Sequence, residues 1–393
     1  MTALLRDALV ALPWLVPLLL GPILIRRRPR LSDDPAADGR DGPFVTVIVP
    51  ARNETENIRA CVESLLASDY ANSEIVVVDD RSTDGTSEIV ETLAKANPGR
   101  LRVVAGEALP VGWVGKPWAC WQGYRAARGD ILVFTDADTR HAPALLSHAV
   151  GFMRANGVDF VTLVPRQLME SFWERVILPQ IFAAILFRFR DLSRMNRSRN
   201  PRDVIANGQF ILVRREAYDA VGGHEAVRGE IVEDLMLAQR AVALGRTVHA
   251  AHAPDLMTTR MYRSLHAIIE GWSKNLASAS RQTVPVPLRP ILPWAIGSFL
   301  IVFWAGPPAV LLLRLAAGDL AGWPAIATGS SLAYWFMLYR GFRVSSRYAV
   351  LYPLGAAAAA ALFFRSAALR GRVRWKGRSY ETDVSGRLGG PAP

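Results

Sequence analysis

The chain has 393 residues, 51% of them hydrophobic and only 21% charged, and its mean hydropathy is +0.16. At roughly 100 to 200 residues per domain this makes about two or three folding units and excludes a disordered chain. A positive hydropathy at this length implies apolar segments committed to lipid. The two cysteines, Cys61 and Cys120, are too few for a disulfide framework or a cysteine-based metal centre. A formal charge of +11 would permit nucleic-acid binding, but the arginines flank apolar runs, where the cytoplasmic bias of membrane proteins accounts for them; no nucleic-acid partner is expected.

In chain order, residues 8–25 (ALVALPWLVPLLLGPILI) form an uncharged run of roughly the length a helix needs to cross the hydrocarbon core. Arg26, Arg27, Arg28 and Arg30 follow at once and place the downstream chain in the cytoplasm. Because the basic cluster follows the apolar run, residues 1–30 read as an anchor rather than a cleaved signal peptide. Residues 31–43 are a polar linker with Gly and Pro. From residue 44 the pattern changes to short β-branched runs at 45–49, 74–80, 101–104 and 130–138, separated by helical stretches. That alternation predicts an α/β domain, residues 44–285, with parallel pairing, helices on both faces and ligands at the carboxyl ends of the strands.

Residues 286–365 hold three further apolar runs, at 291–313, 320–339 and 348–364, and residues 366–393 form a basic tail. Arg340, Arg343 and Arg347 suit a cytoplasmic loop, yet the tail, with Arg365, Arg370, Arg372, Arg374, Lys376 and Arg378, is also basic. Both cannot lie inside if every segment crosses. A break or re-entrant turn at Gly306-Pro307-Pro308 is the expected repair.

Four clusters carry the chemistry. Pro50-Ala51-Arg52-Asn53-Glu54 follows the first strand, where free N–H groups of a starting helix suit an anion or a polar ring; the plain alternative is a helix start capped by Asn53. Asp79-Asp80, followed by Ser82, Thr83, Asp84 and Gly85, puts two adjacent carboxylates at a strand end. A carboxylate there can accept from a base or a ribose hydroxyl, and a turn alone explains Asp84-Gly85 but not the acidic pair. Asp136 and Asp138, after the apolar strand ILVF, offer oxygen ligands for a hard divalent cation bridging a diphosphate. Gly115-Lys116 either supplies a cation to phosphate or is simply exposed. Glu233 and Asp234 open a helix, where a carboxylate can serve as general base or as an ordinary acidic helix start.

PARNE, VVVDDRSTDGT, GWVGKPWA, FTDAD, ANGQFILVRREAYDAVGG and VEDLMLAQR, in this order, resemble the family 2 inverting glycosyltransferases over roughly residues 44 to 280. The resemblance implies an α/β GT-A fold, Rossmann-like with a mostly parallel sheet, between N-terminal and C-terminal transmembrane helices, and a UDP- or GDP-sugar donor. Carried onto this chain, it makes Pro50, Ala51, Arg52, Glu54 and Asp80 nucleoside contacts, with Asp79, Asp84 and Lys116 beside them. It puts Asp136 and Asp138 at the diphosphate and its Mg2+ or Mn2+, and makes Asp234, with Glu233, the catalytic pair.

The Q-x-x-R-W motif of polymer-making members is absent; Glu270-Gly271-Trp272-Ser273-Lys274-Asn275 stands there, leaving Trp272 and Lys274 as acceptor contacts. The segment 169–187 resembles the membrane-bound branch associated with hopanoid and carotenoid pathways. Independently, residues 176–187 are apolar and lead into Arg188, Arg190, Arg194, Arg197, Arg199 and Arg202, spaced to reach lipid phosphates. A buried core helix is the alternative. The expectation is a multi-pass protein of the inner (plasma) membrane with a cytoplasmic catalytic domain, moving one sugar onto a lipid. The rivals are a polysaccharide synthase and a non-catalytic membrane protein that keeps a nucleotide-sugar fold. His252 could complete the metal site, though a structural histidine is the plainer reading. Oligomeric state is not encoded in these patterns.

Overall fold

The computed structural model describes residues 3–25, 30–189, 191–369, 372–381 and 387–388. Arg26, Arg27, Arg28, Arg190 and Arg370 lie outside the described residues.

The four expected strands form: β1 (Val45–Ala51), β2 (Ser73–Asp79), β3 (Leu101–Ala105) and β4 (Ile131–Thr135). Four more follow: β5 (Thr139–His141), β6 (Phe160–Gln167), β7 (Phe210–Arg214) and β8 (Val248–Thr259). The eight-stranded sheet has the order β3-β2-β1-β4-β7-β6-β8-β5. Pairing is parallel from β3 to β4 and between β6 and β8, while β7 runs antiparallel to both neighbours and β5 antiparallel to β8. The sheet is therefore mostly parallel, as expected.

The central strands β1, β4 and β7 are largely apolar because both faces are covered. Val47, Val49 and Val133 point to one side, where Ile58, Val62, Leu93, Leu145 and Met153 from three helices cover them. Ile48, Leu132 and Phe134 point to the other, against Cys120, Tyr218, Leu237 and Val248. Each such side chain stabilises the fold by about 1.5–3 kcal/mol relative to exposure. The helix Gly115–Ala126 lies close on β1: a Cβ at Gly123 would stand 2.3 Å from Cγ2 of Ile48.

Two compact units divide the chain, one of residues Met1–Arg27, Met169–Asp191 and Tyr262–Arg370, the other of Arg28–Leu168, Leu192–Met261 and Gly371–Pro393. This differs from the linear boundaries expected. The segments 169–191 and 262–285 group with the apolar helices, and the basic tail groups with the sheet.

In the helical unit, Leu292–Ala316 (25 residues) and Ser346–Ala368 (23 residues) are long and apolar enough to cross a membrane. Leu4–Val10 and Leu12–Gly21 make a third candidate only if this pair, bent by 66°, is one span. The break expected at Gly306-Pro307-Pro308 does not occur. The helix passes through a π-helical stretch, Leu300–Ala305, and the prolines fall in the first turn of the next α-helical segment, Gly306–Ala316, where their missing N–H is least costly. Leu312, Leu313 and Leu315 remain more than half exposed, a surface that suits lipid better than water. Phe172–Arg188 opens with a Ser171/Glu174 capping box and packs on Tyr352–Ala368. A Cβ at Gly355 would stand 2.3 Å from the Val176 carbonyl, and Gln180 Nε2 donates to the Tyr352 carbonyl at 3.2 Å.

Candidate active site

The site lies in the sheet unit, at the carboxyl ends of β1, β2 and β4. On the β1–β2 side, chain geometry is set by side chains that close two loops onto each other. Asn53 adopts a left-handed φ of 52°. Its N–H donates to Ser82 Oγ (3.0 Å) and its Oδ1 accepts from the Thr83 N–H (2.9 Å). It is not the helix cap: the helix Ile58–Leu66 starts later, with Asn57 in that place.

Asp84 accepts from Thr55 and Thr86 N–H groups (both 3.1 Å) and from Thr86 Oγ1 (2.6 Å). Although burial pushes its pKa up, these hydrogen bonds outweigh it and hold the carboxyl at about 2. Asp79 accepts from the Ser82 N–H at 3.2 Å and from Ser87 Oγ. Both aspartates thus tie the loop together.

Arg52 donates to the carbonyls of Asp80 (2.6 Å), Arg81 (3.2 Å) and Lys376 (3.1 Å). Asp80, only 3% exposed, is held in a fork by Arg378 at 2.5 and 2.9 Å. Glu54 faces Lys376 Nζ at 3.0 Å and Asn57 Nδ2 at 3.0 Å. Ala51 is buried and its carbonyl accepts from the Asp80 N–H (2.7 Å), while Pro50 is half-buried in β1.

On the other side, Lys116 Nζ sits 2.7 Å from Asp136 Oδ1 and 3.1 Å from Glu233 Oε1. The Asp136 side chain keeps 28% of its surface exposed, so the cluster opens to the cleft. Asp234 begins the helix Glu233–Ala243; its Oδ2 accepts from the Gly208 N–H at 2.6 Å and its Oδ1 from the Leu235 N–H at 2.8 Å. A Cβ at position 208 would stand 2.7 Å from Lys116 Nζ and 2.9 Å from Asp234 Oδ2, so any larger residue there would displace one or both. Asp138 accepts from Thr259 Oγ1 at 3.3 Å.

The acidities follow from this crowding. Burial, then the neighbouring Asp136 and Glu54 carboxylates, push Asp138 up to about 8. Burial and Glu233 push Asp234 up to about 6 against the pull of Lys116. Asp136 is raised by burial despite Lys116, and Lys116, though burial opposes it, is held well above its ordinary range by three carboxylates.

His252 does not join this group. Strand pairing puts Thr259 opposite Thr139, beside the aspartates, whereas His252 pairs with Val164 roughly 20 Å back along β8. Among the described residues no three His, Cys, Asp or Glu side chains cluster as a complete metal cage. Burial raises both thiols, Cys61 to about 12, so neither is reactive. Trp272 belongs to the helical unit; it is 7% exposed and edge-on to Phe182 and Tyr262 at 5.8 and 6.2 Å. Lys274, two residues on, is half-buried. Sequence reasoning missed Gly208, Thr259 and the tail residues Lys376 and Arg378 as site residues.

A strand-end cleft lined by carboxylates and one buried lysine, on this sheet, agrees with what the sequence matches. Residues 46–222 match the family described as Glycosyl transferase family 2. That stretch is a family 2 glycosyltransferase domain. It is similar to a 4,4'-diaponeurosporenoate glycosyltransferase of Staphylococcus haemolyticus, 26% identical over 284 residues, covering 71% of this chain and 73% of the relative. A Staphylococcus aureus protein of the same name is 25% identical over 348 residues, covering 86% and 88%. Among solved structures, a mannosyltransferase from Pyrobaculum calidifontis, in complex with GDP-Man and Mn2+, superposes with a TM-score of 0.55 at 24% identity, covering 93% of this chain and 97% of the other. The chain thus has the GT-A fold.

Proposed function

We propose that this glycosyltransferase moves a single sugar from a UDP- or GDP-sugar to a lipid acceptor, with inversion, at the cytoplasmic face of the inner membrane. The observation that carries the reading is Asp234: partly exposed in the cleft, fixed through both oxygens, and raised to about 6. Its acidity matches that of a base poised near neutral pH. Glu233 is the weaker candidate, being buried and paired with Lys116.

The donor set of Asp136 and Asp138 fits a divalent cation such as Mg2+ or Mn2+. Both are half-buried carboxylates whose pKa values are raised by burial first and by neighbouring carboxylates second, a donor set that a hard cation would satisfy, and such ions take their remaining oxygens from phosphate and water. When bound, the cation would neutralise charge developing on the departing diphosphate. The chain's own residues do the rest. Lys116 supplies a fixed cation beside Asp136. Asp234 takes the proton of an acceptor hydroxyl as its oxygen bonds to the anomeric carbon. The bond from that carbon to the diphosphate oxygen breaks, the electron pair leaving with the nucleotide.

A lipid acceptor is supported by the names of the relatives, by the exposed apolar helices, and by the absence of the polymer-holding motif. Trp272, whose indole N–H finds no partner among the described residues, and Lys274 remain candidate acceptor contacts. Incubating membranes containing the protein with radiolabelled UDP- and GDP-sugars, then extracting the lipid phase, tests the reading. Label in one lipid-soluble glycoside supports it. A ladder of oligomers favours a polysaccharide synthase, and no transfer from any donor favours a non-catalytic protein.

A further inference from the structure

The basic tail does not behave as a membrane flank. Its strands Arg372–Trp375 and Arg378–Glu381 pair antiparallel around Lys376-Gly377. Both turn residues have positive φ, 47° and 77°, as a tight two-residue hairpin turn requires. The turn points its charges at the two loops that follow β1 and β2. Arg378 clamps both oxygens of Asp80, Lys376 Nζ bonds Glu54 and the Asn53 carbonyl (2.9 Å), and the Lys376 carbonyl accepts from Arg52. Tyr380, 6% exposed, packs with Val114 and Ile231 and its hydroxyl accepts from the Gly115 N–H at 3.2 Å. A Cβ at Gly115 would stand 2.3 Å from the Arg378 guanidinium, so a larger residue there would push that side chain off its present position.

We propose that this C-terminal hairpin is a built wall of the donor site, with Arg378 and Lys376 acting as positioning residues for Asp80 and Glu54. The inference rests on the nucleotide-sugar reading. An anionic donor entering a cleft that already holds Asp80, Glu54, Asp136 and Asp138 meets strong repulsion unless cations balance those carboxylates. Lys116 balances the second pair in part; the tail balances the first. Asp80 is too buried to stand alone as an anion, and removing one partner from a buried pair leaves an uncompensated charge. The buried tyrosine and two-point clamp distinguish a wall from a plug that donor must expel.

The test uses the full chain and titrates UDP and GDP, followed by transfer kinetics. Arg378→Ala should weaken the affinity of whichever nucleotide binds by about tenfold or more, raising the donor KM while kcat at saturating donor stays within about threefold. Arg378→Lys should recover part of the loss. Unchanged or tighter nucleotide binding by Arg378→Ala, or equal loss of kcat and kcat/KM without rescue by Arg378→Lys, overturns the wall. If the unaltered chain binds neither nucleotide, the donor reading itself fails and the inference with it.

Discussion

The two halves of the cleft carry similar numbers of carboxylates but treat them differently. Beside β1 and β2, each acid has its own partner: Glu54 has Lys376, Asp80 has Arg378, and Asp79 and Asp84 have loop donors. Beside β4 and the Glu233–Ala243 helix, Asp136, Glu233 and Asp234 share the ammonium of Lys116, while Asp138 accepts from the Thr259 hydroxyl at 3.3 Å. The first half is charge-balanced and rigid. In the second, burial first and crowded carboxylates next raise the pKa values of Asp136, Asp138 and Asp234. A half built this way can receive a cation and a proton, which the balanced half cannot.

The comparison breaks most visibly at Asp234. Asp234→Asn should lower transfer by about 10²–10⁴-fold while nucleotide titration stays within about threefold, because a general base contributes in that range. Near-normal turnover would remove the base from this half. Next, Asp138→Ala should cost transfer about 10–100-fold and abolish the difference in nucleotide affinity measured with and without chelator. If the unaltered enzyme shows no such difference, these carboxylates hold no metal. Gly208→Ala should then lower kcat about tenfold, since its Cβ would intrude on both Lys116 and Asp234 and small misplacements are costly. Steady-state kinetics on a variant with an unchanged melting temperature checks this.

Smaller effects are read in pH. With a hydroxyl acceptor, kcat/KM should rise with pH through about 6 as Asp234 loses its proton. A carboxyl acceptor, already ionised there, should flatten the profile. For Asp138, the folded value of about 8 lies above the ordinary 3.8. Folding is therefore favoured by the proton at low pH, and that stability is lost as pH rises toward about 8 in chelator. The thermal shift produced by Mn2+ should accordingly be larger at pH 8 than at pH 6.

Much of this was legible in sequence where local pattern suffices. β1 to β4 are apolar runs ended by acidic residues, and their ends are where the site formed. β7 was not legible as antiparallel, because the short run FILVR carries no sign of its direction. The partner of Asp80 stands 298 residues away, and Arg378 looked like membrane-flanking charge because composition does not record where a tail packs. The apolar stretch 176–187 reads alike in a core and in a bilayer, so its grouping with the apolar helices had to come from three dimensions. Trp272 carried no signal of burial, since an aromatic on a helix suits packing and stacking equally.

Seating of the last strands against the sheet has a bookkeeping consequence for topology. If the apolar helices enter a bilayer, a polypeptide that leaves the sheet unit after Met261 and rejoins it at Gly371 would end on the leaflet from which it set out, and the stretch between would traverse an even number of times. Two traverses, by Leu292–Ala316 and Ser346–Ala368, would satisfy that parity, and three would not. Under the same condition Phe172–Arg188 would depart and return on one side without passing through.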